Sequence, residues 1–185
     1  MGKSRLLVFA GPNGSGKTTV IRGVSVVGVY VNADDIKTET GCSDLEAAQT
    51  AERLRESLLD RRTDFTFETV LSTDRNLGLL RRAKAAGYEI TSVFVLTASA
   101  SINVGRVRTR VDDGGHDVPE DKIRARYARS LANLPALIDL SDSTIVIDNT
   151  GDSPVQIFGR DSRGEMVNET QHWTEAQIHK LVGID

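Results

Sequence analysis

The chain has 185 residues, of which 39% are hydrophobic and 26% charged. That length and balance belong to one globular domain with a real core, and they exclude disorder, collagen and coiled coil. With 23 basic against 26 acidic side chains the formal charge is −3, which argues against a globally basic nucleic-acid binder.

Along the chain, short apolar runs alternate with longer amphipathic ones, the pattern of an α/β protein with a parallel sheet. Leu6–Ala10 predicts a strand that stops at Gly11-Pro12. A helix is expected over Lys17–Gly23, although Thr18, Thr19, Val20 and Ile21 are β-branched and mediocre helix formers. Val29–Asn32 predicts a second strand. The clearest helix is Asp44–Arg62, where Leu45, Ala48, Leu54, Leu58 and Leu59 recur at helical spacing and Ser43 or Asp44 can cap the start. Phe65–Thr69 predicts a strand and Arg75–Ala86 a helix stopped by Gly87. Ile90–Leu96 predicts a strand, Ser101–Asp112 and Glu120–Leu140 two helices, and Thr144–Ile147 the last strand of the sheet.

The end of the chain reads differently. Val155–Phe158 and Glu165–Val167 flank the run 159–164 as a loose hairpin, and Thr174 with Gln177 forms a capping box opening a helix to about Val182. No linker rich in Pro, Gly or Ser appears. The expectation is a single domain over 1–185, a P-loop NTPase with a mostly parallel five-stranded sheet, helices on both faces and a helical lid at about 101–131. The hairpin and helix at about 155–185 are expected as an edge appendage. The lone Cys42 excludes an intrachain disulfide and suits a reducing cytosol. No stretch approaches the ~18–20 apolar residues that span a bilayer, so no membrane partner and a cytoplasmic location are expected.

The strongest motif is Gly11-Pro12-Asn13-Gly14-Ser15-Gly16-Lys17-Thr18, a full G-x-x-x-x-G-K-[ST] match behind a strand and before a helix. Its glycines let the backbone turn so that successive N–H groups face phosphate oxygens. Lys17 reaches the β- and γ-phosphates and the Thr18 hydroxyl is offered to Mg²⁺, with Thr19 beside it. ATP and Mg²⁺ are the expected cofactors. The base reader N-K-x-D of GTPases is absent, since Asn149-Thr150-Gly151-Asp152 lacks the Lys; Asn149 is kept as a nucleotide contact. The L-S-G-G-Q segment of transporter ATPases is absent too. What remains is a small kinase with an acceptor site and an arginine-rich lid.

The lid segment carries Arg106 and Arg110 one helical turn apart, and planar guanidiniums suit the charge that develops in phosphoryl transfer. A glycine-rich connector, Gly114-Gly115-His116, joins the two lid helices. Asp34 and Glu68 stand at strand ends, where α/β sheets bind ligands. A carboxylate there takes the proton of an acceptor hydroxyl, and Asp34 is preferred as base. Glu68, Thr69 and His116 are the candidate acceptor-binding residues. The competing readings are a nucleotide-dependent hydrolase or polynucleotide kinase, and a nucleotide-binding protein regulated by a partner.

The segments Gly11–Thr19, Val31–Asp35, Phe67–Ser72, Arg106–Arg110, Gly114–Glu120 and Asp148–Thr150 occur in that order. Together they resemble the zeta-toxin-like P-loop kinases, in particular their compact bacterial branch, over about residues 5–158. The resemblance implies transfer of phosphate from ATP, with Mg²⁺, to a hydroxyl of a small acceptor, UDP-N-acetylglucosamine in the characterised toxins, and neutralisation by an antitoxin protein. It implies that Lys17 is the P-loop lysine, Asp34 the base, Glu68 the acceptor-contacting glutamate and Arg110 a phosphate-contacting lid arginine. His116 falls near the position of a second phosphate arginine in those toxins, and this chain is more compact than they are.

Overall fold

The computed structural model describes residues 2–115 and 117–184; His116 lies outside the described residues. Seven strands form one sheet in the order β2-β3-β1-β4-β5-β6-β7. The strands are β1 (Arg5–Ala10), β2 (Val29–Val31), β3 (Phe65–Thr69), β4 (Glu89–Leu96), β5 (Ser143–Asp148), β6 (Val155–Asp161) and β7 (Gly164–Val167). The first five pair in parallel, with β1 between β3 and β4.

The expected sheet of five strands is therefore corrected to seven. The hairpin continues the sheet antiparallel to β5, and it is tighter than expected, with Asp161 paired to Gly164 across a two-residue turn. The Asp161 carboxylate closes that turn by accepting from the Arg163 backbone N–H at 2.8 Å. Gly159, which read as a turn residue, lies within β6, paired with Ile145 of β5 on one side and Met166 of β7 on the other.

The helices are α1 (Lys17–Ile21), α2 (Ala33–Thr40), α3 (Asp44–Asp60), α4 (Arg75–Ala85), α5 (Ala100–Asp112), α6 (Glu120–Ala132), α7 (Leu134–Leu140) and α8 (Glu175–Val182). Successive β1 residues alternate between the sheet faces, as strand geometry requires. Leu6, Val8 and Ala10 enter the main core with the apolar stripes of α3, α4, α7 and α8. Leu7 and Phe9 face the other side, under Val20 and Ile21 of α1. Helices thus cover both faces. A separate small cluster of Val104, Val107 and Ile123 holds α5 to α6.

The expected helix Glu120–Leu140 is broken into α6 and α7, because Pro135 has no N–H to donate into a continuous helix. The capping boxes at Ser43–Glu46 and Thr174–Gln177 are both formed. Gly87 takes the left-handed φ of +83° that ends α4. Among the described residues no helix is long and apolar enough to cross a membrane.

Candidate active site

The carboxyl ends of β1, β2 and β3 converge on one cleft of about 690 Å³. Its lining includes Asn13, Gly14, Gly16, Lys17, Thr18 and Thr19 from the loop after β1. Asp34 comes from α2, Glu68 from β3, and Arg106, Arg110, Lys122 and Arg126 from the α5–α6 pair. The lining thus holds residues the sequence separates by more than ninety positions, brought together by the sheet order.

The loop shape demands its glycines. Gly11 has φ +141°, and a Cβ on it would lie 2.0 Å from the Val95 carbonyl oxygen. Gly16 has φ +88°, and a Cβ there would strike the Asn149 amide nitrogen at 2.1 Å. Two buried amides prop the loop from behind. Asn149 donates to the Ser15 carbonyl at 2.8 Å, and Asn103 donates to the Asn13 carbonyl at 2.6 Å. Asn103 is itself oriented by the Thr97 hydroxyl. Asn149 therefore serves the backbone of the loop in this structure. Asn103 is a residue the sequence reading missed; the available signal was an amide on the buried stripe of α5 next to Val104 and Val107. Pro12 and Ser15 are buried in the loop, and the Ser15 hydroxyl has no partner among the described residues.

Lys17 is half-buried and donates to the loop's own carbonyls, Gly11 at 2.8 Å and Pro12 at 3.3 Å. Loss of hydration pushes its ammonium down from 10.5 to about 8, against the pull of Glu68 and Asp34 and together with the push of Arg110.

Asp34 is the second residue of α2. The cap is Asn32, whose side-chain oxygen accepts from the Asp34 backbone N–H at 2.9 Å. The Asp34 carboxylate is exposed in the cleft. Glu68 is fixed by two donors on one oxygen, the Tyr30 hydroxyl and the Asn32 amide, the latter at 2.9 Å. Burial and Glu68 together hold the Tyr30 hydroxyl protonated well above its ordinary range. Asn32 thus caps α2 and orients Glu68 at once.

Thr69 also has a structural task. Its hydroxyl accepts from the Leu71 N–H at 2.9 Å and from the Asn76 amide at 2.7 Å. These bonds hold Leu71 at φ +56°, with Asn133 donating to the Leu71 carbonyl at 2.9 Å. Thr69 also lines a second hollow, which adjoins the cleft.

Five arginines of α5 and α6 fall into two groups. Arg108 and Arg124 are engaged by Glu120, at 2.5 and 2.8 Å. Arg106, Arg110 and Arg126 line the cleft. Arg106 donates to the Thr150 carbonyl at 3.3 Å and Arg126 to the Asn13 side chain at 3.4 Å. The Tyr127 hydroxyl, pushed up to about 12 by burial, ties α6 to the end of β4 through the Thr97 carbonyl at 2.6 Å.

Thr18 and Asp34 offer the cleft a hydroxyl and a carboxylate, hard oxygen donors of the kind Mg²⁺ prefers. Among the described residues no three His, Cys, Asp or Glu side chains gather into a metal-ligand cluster. The donor set fits a divalent ion shared with phosphate oxygens, not one caged by protein alone.

A phosphate loop propped by buried amides, at the carboxyl edge of a parallel sheet ordered β2-β3-β1-β4-β5, defines a P-loop fold of the kinase-like type. The Zeta toxin family model matches residues 2–162, and the chain belongs to the Zeta toxin family. An uncharacterized protein of Haemophilus influenzae is 25% identical over 131 residues, covering 68% of this chain and 94% of that protein. The AvrRxo1-ORF1:-ORF2 complex with ATP contains a chain of the same fold, with a TM-score of 0.73 and 16% identity over 98% of this chain. This chain covers 64% of the length of that one. The PezAT chromosomal toxin-antitoxin system of Streptococcus pneumoniae gives a TM-score of 0.64 and 15% identity over 99% of this chain and 84% of that one.

Proposed function

We propose that the chain is a phosphotransferase that moves the γ-phosphate of ATP to a hydroxyl of a small acceptor. The observation that carries this reading is the shared cleft: Lys17, Thr18, Asp34, Glu68, Arg106 and Arg110 all line it. Loop N–H groups and Lys17 hold the β- and γ-phosphates. Thr18 would hold Mg²⁺ together with the phosphates, and the ion when bound would supply charge neutralisation.

Glu68, held on one oxygen by Tyr30 and Asn32, positions the acceptor. Asp34 takes the acceptor's hydroxyl proton as its oxygen bonds to the γ-phosphorus and the bond to the β-phosphate oxygen breaks. ADP leaves with the electron pair of that bond. Arg110 and Arg106 face the charge on the transferring group, with Arg126 completing the cluster. The α5–α6 pair acts as the lid, joined to the body by Tyr127 and its own small core.

Family membership and the neighbours solved with ATP and in toxin-antitoxin systems support an ATP-dependent toxin-like kinase and an antitoxin partner. A nucleotide sugar is the acceptor that the family resemblance favours. The test is incubation of the purified protein with ATP, Mg²⁺ and a pool of small metabolites, with Lys17→Ala in parallel, read by mass spectrometry. A new phosphorylated metabolite that is absent with Lys17→Ala is the expected result. ATP consumption that yields only free phosphate overturns the transferase reading in favour of a hydrolase.

A further inference from the structure

Arg55 is a charged side chain that the mechanism above does not use. It lies in the middle of α3, is only 9% exposed, and sits on the apolar stripe of that helix between Ala51 and Leu58. Its guanidinium carbon is 5.2 Å from the centroid of the Phe67 ring. Among the described residues it has no hydrogen-bond or ion-pair partner. The carboxylates nearest along the helix are already paired, Glu52 with Arg75 at 2.8 Å and Glu56 with Arg82 at 2.5 Å. Glu52 and Glu56 act on the guanidinium through space without forming an ion pair with it, and stacking on one ring offsets only part of the cost of its burial.

The second hollow, of about 320 Å³, is lined by Arg55 and shares Asp34, Glu68 and Arg126 with the phosphate cleft. Ser72 and Thr73 add neutral polar groups to its wall. Two adjoining hollows that share lining residues therefore offer carboxylates for a hydroxyl and, at Arg55, a guanidinium without an ion-pair partner for an anion.

We propose that Arg55 is a specificity-determining residue that receives an anionic group of the acceptor, so that the substrate is a hydroxyl compound bearing a phosphate or a carboxylate. The proposal rests on the kinase reading of the adjoining cleft. The planar fork of a guanidinium matches either oxyanion with paired N–H donors. A neutral alcohol of the same size would cover Arg55 and leave it unpaired in the complex, and such an analogue is rejected strongly.

The experiment fills the nucleotide site with Mg²⁺ and a non-hydrolysable ATP analogue, then titrates inorganic phosphate or acetate against chloride at matched ionic strength. Melting temperature is the readout. The expected result is a saturable rise with at least one of the two oxyanions; phosphate alone marks a phosphorylated acceptor and acetate alone a carboxylated one. Arg55→Met, which keeps a stem on Phe67 and loses the charge, is expected to weaken that response at least tenfold. Its own melting temperature should equal or exceed that of wild type, which a structural arginine would not allow. Arg55→Lys should retain part of the response.

The proposal is overturned if neither oxyanion outperforms chloride on the wild type, or if Arg55→Met responds as wild type does. It is also overturned if Arg55→Met melts well below wild type while Arg55→Lys does not distinguish oxyanion from chloride. Asp34→Ala separates this inference from the reading it rests on, because it should lose transfer and still respond to the oxyanion.

Discussion

The Asn32 side chain caps α2, and that leaves the carboxylate of Asp34, two residues on, with no capping duty. A substitution at Asp34 should therefore act on chemistry and not on the fold. Asp34→Asn is expected to lower the rate of phosphoryl transfer by about 10²–10⁴-fold, the usual contribution of a positioned general base. Its melting temperature should match wild type. Single-turnover transfer and a thermal melt on the same preparation check both halves, and wild-type transfer rates in Asp34→Asn would remove the base assignment.

Lys17 makes a pH-dependent prediction. Its ammonium titrates at about 8 in the ligand-free fold against 10.5 in the unfolded chain. Between those values the unfolded state binds more protons, so ligand-free stability contributed by this group rises with pH from about 8 to about 10.5. Bound phosphates favour the charged form and raise the pKa again. Binding of Mg²⁺-ATP near pH 8 should then take up about half a proton, falling toward about a tenth at pH 7. Calorimetric titration in buffers of different ionisation enthalpy measures this uptake, and a binding heat independent of buffer at pH 8 would contradict it.

At the scale of elements, the phosphate loop is a shape imposed from outside. Asn149, following β5, and Asn103, on α5, each hold one loop carbonyl. Asn149→Ala leaves the buried Ser15 carbonyl unpaired and should cost about 1–3 kcal/mol in a urea melt. It should also raise the KM for ATP, because the loop is no longer fixed. An unchanged KM alongside the lost stability would confine Asn149 to the fold.

The same elements explain what the sequence revealed. The loop, its strand and α3 were legible because local chemistry dictates them: glycines with forced backbone angles, an apolar stripe and a capping box. Helix α2 was not legible, since Ala33–Thr40 offers only Ala33 and Ile36 as apolar residues and no helical repeat. Asn103 and Arg55 stood on apolar stripes as polar exceptions, a visible signal whose meaning depends on what the fold brings opposite them.

Over the whole molecule, the hairpin and α8 read in sequence as an edge appendage of one domain, since no linker sets them apart. The sheet makes them part of the core. Phe158 of β6 is fully buried, Ile157 and Phe158 join the main cluster, and Ile178 and Val182 of α8 close it against α7. β6 pairs with β5, the strand whose end leads into Asn149. If this end were separable, Phe158→Ala would melt it alone and leave the nucleotide cleft intact. The shared core predicts instead a loss of about 3–5 kcal/mol from the entire domain, as for other buried Phe→Ala changes. Unfolding followed by far-ultraviolet circular dichroism and by release of a fluorescent ATP analogue should give coincident transitions, both displaced to lower denaturant by Phe158→Ala. Two separate transitions, with analogue release at the wild-type midpoint, would show the carboxyl-terminal elements to be an independent unit.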